Sequence, residues 1–313
     1  MFLNTTLFGF GLGFAATLIW SSFYLVGRVL FGTFSADPFV LSFLRYLLAG
    51  IFLLVPLATS RRIGLLCQVV REQWRFLLLL GFFGTFGEGF LVLYSLHFTS
   101  AARSSLFANF SPLFTVLLAW PLLQEPVGKR KMAGVLLGLI GMIVAVTSGG
   151  GRDLFRASGG TLPGDLLALG SGFFWAIYTV LGRRVTGFPP LVVVTAAIFF
   201  GNAMTLLFVL LAKRPFLLPC TIPFWASVIY IGVVSAGIAN VLWLSALERV
   251  EAGKLGMLGY LSVLLTMGSA VIFLKEEIPF RFLFGAICVC GGIVLTLLSP
   301  GKRHAIISSG TDK

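Results

Sequence analysis

The stretch "WSSFYLVGR" (Trp20–Arg28) returns as "WAIYTVLGR" (Trp175–Arg183). Both are apolar helical segments that open on Trp and close on Gly-Arg. One constant offset places Trp20 on Trp175, Gly27 on Gly182 and Arg28 on Arg183. A second offset runs without a gap from Tyr94–Thr147 onto Ser245–Leu298. It matches Ala101 with Ala252, Ser111 with Ser262, Thr115 with Thr266, Glu125 with Glu276, Gly134 with Gly285 and Gly141 with Gly292. Apolar helices align by chance on Leu and Val, so the weight rests on Trp, Glu and Gly. The chain reads as two copies of one unit, 1–148 and 164–300, with a Gly- and Ser-rich exposed linker at 149–163 and a tail at 301–313.

Composition fixes the solvent. Of the 313 residues 58% are hydrophobic and 11% charged, and the mean hydropathy is +1.01, values that belong to a membrane protein. The net charge of +12 sits in short clusters between long apolar runs, a topology signal that argues against nucleic acid as a partner. The four cysteines (Cys67, Cys220, Cys288, Cys290) show no ligand spacing and read as packing residues. The opening residues lack the basic start of a signal peptide and are expected to form a retained first span.

A span needs about 20 apolar residues. That template fits ten times: Phe8–Phe31, Phe39–Ala58, Phe76–Ser95, Ser104–Leu123, Met132–Thr147, Gly164–Leu181, Leu191–Leu211, Phe224–Leu247, Leu255–Leu274 and Phe282–Leu298. The basic residues, led by Arg61, Arg62, Lys129, Arg130 and Lys131, place both termini in the cytoplasm. Each copy holds five spans, an odd number, so the second enters the membrane from the opposite side. The expected fold is an all-α transmembrane ten-helix bundle built from two inverted five-helix repeats. Repeats related in this way rock about a central site and open it to either side in turn. Small residues at Gly9 and Gly13, and at Gly134 and Gly138, permit close helix approach, within the chain or between copies of a homodimer.

The ten spans, the duplication and "FANFSPLFTVLLAWPLLQEPVGKRKMAGVLLGLIGMIV" (Phe107–Val144) resemble the EamA-like branch of the drug/metabolite transporter superfamily. Its pattern is a helix with a central Pro, a closing Glu and then a Gly-spaced helix. The second copy departs from it, with Val263 standing opposite Pro112. The resemblance implies two EamA-like repeats forming a carrier that exports small solutes by alternating access in a bacterial cytoplasmic (inner) membrane. It implies no particular substrate.

A charge in hydrocarbon costs at least about 2.5 kcal/mol, so each one calls for a partner or a task. Arg45 lies roughly 9 Å below the outer end of the second span and Glu88 about 10 Å below that of the third, at one level. Either they pair to hold two helices in register, or they serve a substrate or proton pathway, Arg45 holding an anionic group and Glu88 a cation or coupling proton. A zwitterion such as an amino acid satisfies both. Trp20 and Tyr24 share a face of the first span, and Trp175 and Tyr178 share one on the sixth. Asn109, Asn202, Asn240 and Tyr260 add mid-span polar groups that suit interhelical hydrogen bonds and substrate contact alike. Pro112 marks an expected hinge. Glu125 and Glu276, each followed by a Pro (Pro126, Pro279), read as helix-end residues favouring the next N-terminus, and His97 as an interfacial side chain.

No cofactor and no metal site is expected. Two histidines, one of them in the tail, exclude an HExxH pair, and there is no GxGxxG or GxxxxGK[ST] loop, so an intramembrane enzyme is the weaker alternative. A flippase for lipids or lipid-linked groups is the stronger one, distinguished by lateral openings between helices. The partners expected are a small-molecule substrate and the lipid bilayer.

Overall fold

The computed structural model describes residues 2–34, 36–99, 101–148, 162–185, 187–274 and 280–299. Residues 149–161 of the expected linker, the tail 301–313, Glu276 and Pro279 lie outside them, as does the side chain of Arg28. Every regular element among the described residues is helical. The first series is α1 (Phe2–Phe34), α2 (Pro38–Thr59), α3 (Ile63–Phe98), α4 (Ala101–Ala108), α5 (Ser111–Leu123) and α6 (Lys129–Ser148). The second is α7 (Leu162–Gly182), α8 (Pro190–Leu211), α9 (Ile222–Leu247), α10 (Ala252–Gly256), α11 (Leu258–Leu274) and α12 (Phe280–Leu297).

Local chemistry sets the starts. Asp37 accepts the amides of Phe39 and Val40 at 2.9 and 3.1 Å with Pro38 at the first helical position, a capped entry into α2. Pro190 takes the same first position in α8, without a side-chain cap. By length and apolarity eight segments among the described residues can cross a membrane: α1, α2, α3, α4 with α5, α7, α8, α9 and α12. The remaining expected spans fall on α6 and on α10 with α11, where the apolar run Ala252–Thr266 is shorter. The chain is a many-span helical membrane protein.

Four boundaries differ from the sequence reading. The third span begins at Ile63 rather than Phe76, so Arg71 and Arg75 stand on a helix and not in a loop. The fourth is not one helix, since the chain turns at Asn109 and Phe110 between α4 and α5. Pro112 therefore sits in the first turn of a new helix, where its missing amide costs nothing, instead of kinking an old one. The ninth breaks as well, at Met257 directly after Gly256, although no proline is present. Helix α7 already starts at Leu162, two residues inside the expected linker.

Without a hydrophobic drive between helices in lipid, packing falls to close backbone contact. Along α6 and α12 a Cβ on Gly134 would lie 2.6 Å from the Gly292 carbonyl oxygen, and one on Gly141 would lie 2.7 Å from that of Gly285. The numbering rises along one helix as it falls along the other, so the two run antiparallel. The Gly134 and Gly138 stripe is thus filled within the chain, as is that of Gly9 and Gly13, which meet Val250 and Leu255.

Two further glycines carry equivalent close approaches. Gly81 of α3 presses on the backbone of α8 at Ala197 and Gly201, and Gly232 of α9 presses on α2 at Arg45 and Leu48. Each stands in a stretch of wide, π-type turns, Gly81–Glu88 in α3 and Tyr230–Ile238 in α9. Such turns are rare and frequently accompany functional sites.

Candidate functional site

The π-type turns expose backbone that side chains recruit. In α3 the Gly84 carbonyl accepts the Tyr46 hydroxyl at 3.2 Å. In α9 the Ser235 carbonyl accepts the Trp20 indole N–H at 3.0 Å. The register that pairs Tyr94 with Ser245 also pairs Gly84 with Ser235, so equivalent carbonyls are each held by an aromatic donor from a neighbouring helix. Missing side chains at Gly84, Gly87 and Gly89 let the rings of Tyr178, Phe174 and Tyr46 lie against the α3 backbone. The α3 chain turns between these rings and presents Glu88.

Between the two series lies a cavity to whose wall both contribute. Thr17, Trp20, Phe23 and Tyr24 of α1 line it, with Arg45 of α2, Glu88 of α3 and Asn109 at the α4–α5 turn. The second series adds Ser171 and Trp175 of α7, Asn240 and Trp243 of α9, Gly256 of α10, and Gly259 and Ser262 of α11.

Arg45 is 4% exposed. Its guanidinium carbon stands 4.4 Å from the centre of the Phe23 ring and 4.8 Å from that of Tyr46, and these faces offset part of its lost hydration. Its buried Nε and Nη1 have no hydrogen-bond acceptor among the described residues. Glu88 faces the same cavity and receives the Tyr46 hydroxyl at 3.4 Å, a long hydrogen bond. No direct ion pair joins Arg45 to Glu88 among the described residues.

Most other polar groups on the wall have already spent their protons. Thr17 donates to the Gly13 carbonyl at 2.8 Å, Ser171 to that of Ala168 at 2.7 Å, and the Asn240 amide to that of Ala236 at 2.9 Å. Toward a ligand the two hydroxyls act as acceptors, while Asn240 offers its Oδ1 and its second N–H. Trp20, Trp175 and Trp243 pack together, with centroid separations of 4.8, 5.3 and 5.7 Å. The Trp243 N–H is held by Thr179 Oγ1 at 3.3 Å.

The structure brings Trp20, Tyr24, Arg45, Glu88, Asn109, Trp175 and Asn240 to one cavity and leaves three expected residues off its wall. Tyr178 is buried with its ring against Gly84 and Trp175. Tyr260 is buried against Gly138. Asn202 is buried on α8, beside the Gly201 contact with α3. Their polarity marked them, but the faces they occupy pack helix on helix. Trp243 was missed, although its mid-span position is the signal that singled out Trp20; Ser262 was legible only as the repeat partner of Ser111.

Buried charge clusters stand at the two ends of the α4–α5 segment. At one end Glu125, 3% exposed, accepts the amides of Ala252 and Gly253 at 2.8 and 3.0 Å and so caps α10. Lys131 Nζ lies 3.2 Å from Glu125 and 3.7 Å from Glu251. Arg183 joins Glu125 at 3.9 Å and donates to the carbonyls of Leu247 and Val250. Burial pulls the Arg183 guanidinium below the ordinary arginine range, against the opposing pull of Glu125 and Glu251. Glu125 thus serves a helix N-terminus, though one in the other copy rather than the next in sequence. At the opposite end Arg103 pairs with Asp165, which also accepts Thr99 Oγ1 at 3.1 Å.

The description "EamA-like transporter family" fits the chain twice, over residues 7–147 and 162–298. The chain belongs to that family. An uncharacterized transporter of Archaeoglobus fulgidus is 30% identical over 292 residues, 92% of this chain and 95% of the relative. The uncharacterized transporter YetK of Bacillus subtilis is 28% identical over 295 residues, 93% and 87% of the two chains. A solved crystal structure superposes with a TM-score of 0.78 at 26% identity, covering 93% of this chain and 96% of its own. Membership in the EamA-like family, part of the drug/metabolite transporter superfamily, agrees with the many-span bundle.

Proposed function

We propose that this EamA-like protein is an exporter of small zwitterionic metabolites, amino acids foremost, working by alternating access in the cytoplasmic membrane with both termini in the cytoplasm. The observation that carries the reading is Arg45, buried with two unpaired N–H groups on a cavity wall that also holds Glu88. A buried cation without an acceptor is costly, and an anionic ligand group would repay that cost. The remaining wall offers acceptors, which suits an ammonium end. Glu88 would then take the ammonium or, in its absence, a coupling proton.

Inversion of the copies is supported by reciprocity. Gly134 with Gly292 and Gly141 with Gly285 are one contact seen from either copy, on antiparallel helices. Gly81 on α8 and Gly232 on α2 are likewise one contact exchanged. An in-plane pseudo-twofold produces both, and it supplies the two equivalent gates that alternating access requires.

The reading is tested in proteoliposomes by screening radiolabelled amino acids, organic acids, amines and sugars under imposed pH gradients. Transport of zwitterions that is lost in Arg45→Ala, and no longer responds to the gradient in Glu88→Gln, is the expected result. Transport of neutral sugars, or of a labelled phospholipid between leaflets, with both variants fully active, would overturn it in favour of another cargo.

A further inference from the structure

The first eleven residues of α3 do not fit inside a membrane. Helix α2, with 22 residues, is about 33 Å long and spans the hydrocarbon once. A turn of three residues, with Arg61 in the left-handed region at φ 55°, leads into Ile63, so α3 starts at the surface where α2 ended. From there α3 runs 36 residues, roughly 54 Å, far more than one crossing. Gln73 interrupts it with non-helical angles of φ −122° and ψ 18°. The stretch that crosses begins after this kink. Residues 63–73 are left to run along the membrane surface.

The two sides of this segment differ. Val69 is fully buried, and Leu65, Leu66 and Val70 pack with it in the cluster that includes Val185, Phe188, Leu191 and Val192, so one side lies on the ends of α7 and α8. The other side is open. Ile63 is 45% and Trp74 48% exposed, and Cys67 is exposed between them. Arg61, Arg62, Arg71 and Arg75 are exposed around this edge, against the single carboxylate of Glu72, which is engaged by Gln68 at 2.9 Å. Arg75 lies over the Trp74 ring at 5.3 Å. Tryptophan and arginine together at the end of a crossing are the anchors of the headgroup layer.

We infer that residues 61–75 form a docking surface for anionic phospholipid headgroups of the adjacent leaflet, with Trp74 seated at headgroup depth. Four arginines against one engaged carboxylate match a negatively charged leaflet and have no comparable attraction for zwitterionic lipid. The surface is separate from the cavity and holds whichever solute is carried.

The test uses the full chain reconstituted in phosphatidylcholine vesicles that contain, at equal mole fraction, either brominated phosphatidylcholine or brominated phosphatidylglycerol. The Trp74 component of the fluorescence is isolated by subtracting Trp74→Phe. Quenching at least severalfold stronger by brominated phosphatidylglycerol is expected, with loss of the preference in high salt. Each arginine changed to Gln should lower the relative affinity by up to about fivefold. The salt titration is made on the unmodified chain, so it stands even if an arginine variant fails to fold. Equal quenching by the two lipids, a preference indifferent to salt, or no quenching of Trp74 at all would each overturn the assignment.

Discussion

The two copies of this protein share a frame and divide a chemistry. In both, a glycine within a stretch of π-type turns presses on the second helix of the other copy and is followed by a carbonyl held by an aromatic donor. On the cavity wall the likeness ends. The first copy supplies Arg45 and Glu88; the second supplies Trp175, Trp243 and Asn240. Glu88 falls opposite Ala239 in the repeat, and Arg45 opposite Ala197, whose carbonyl meets Gly81 as that of Arg45 meets Gly232 but whose side chain carries no charge. Backbone contacts constrain both copies, because one contact serves each, whereas the cavity charges are under no such constraint.

Substitutions break this comparison in order of size. Glu125→Ala removes the cap on α10 and an acceptor of Lys131, which is 1% exposed, and should cost about 3 kcal/mol, read as a large fall in thermal stability in detergent. Arg45→Ala should weaken binding of an anionic solute by roughly 10- to 100-fold in a fluorescence titration and leave folding nearly intact, since Arg45 forms no ion pair. Ala197→Ser, at the equivalent position, should leave that affinity unchanged. Gly141→Val places its branched side chain against the Gly285 carbonyl and should cost about 1 to 3 kcal/mol, while Gly291→Val, with no neighbour closer than 3.6 Å, should be near neutral. Tyr46→Phe removes the donor to the Gly84 carbonyl and should cost about 1 kcal/mol, the smallest effect and the clearest check on the recruited carbonyls.

Apolar run length and the repeat of Trp, Glu and Gly were enough to read the helical membrane class and the approximate course of most spans. The breaks were not legible. Pro112 pointed to a kink in one helix, but a proline lacks only the amide that a first turn leaves free, so the chain starts a new helix there. The break at Met257 has no proline to announce it. Arg71 and Arg75 looked like loop residues because charge ended the apolar window, yet the helix itself continues back to Ile63. In the cavity, depth along a helix found Arg45 and Glu88. Rotation about the axis, which separates Trp243 on the wall from Tyr260 in the packing, depends on neighbours that a lone apolar span does not name.

The central claim is that two like units are threaded in opposite senses around one cavity. Arg130 and Arg281 occupy the same place in the repeat, each exposed near the start of its helix, α6 or α12. With the four native cysteines replaced by serine, Arg130→Cys and Arg281→Cys are labelled separately in intact cells by a membrane-impermeant maleimide. Labelling of Arg281→Cys, with Arg130→Cys reached only after the membrane is opened, is the predicted result. Equal access to the two positions from the same face would contradict the inverted arrangement.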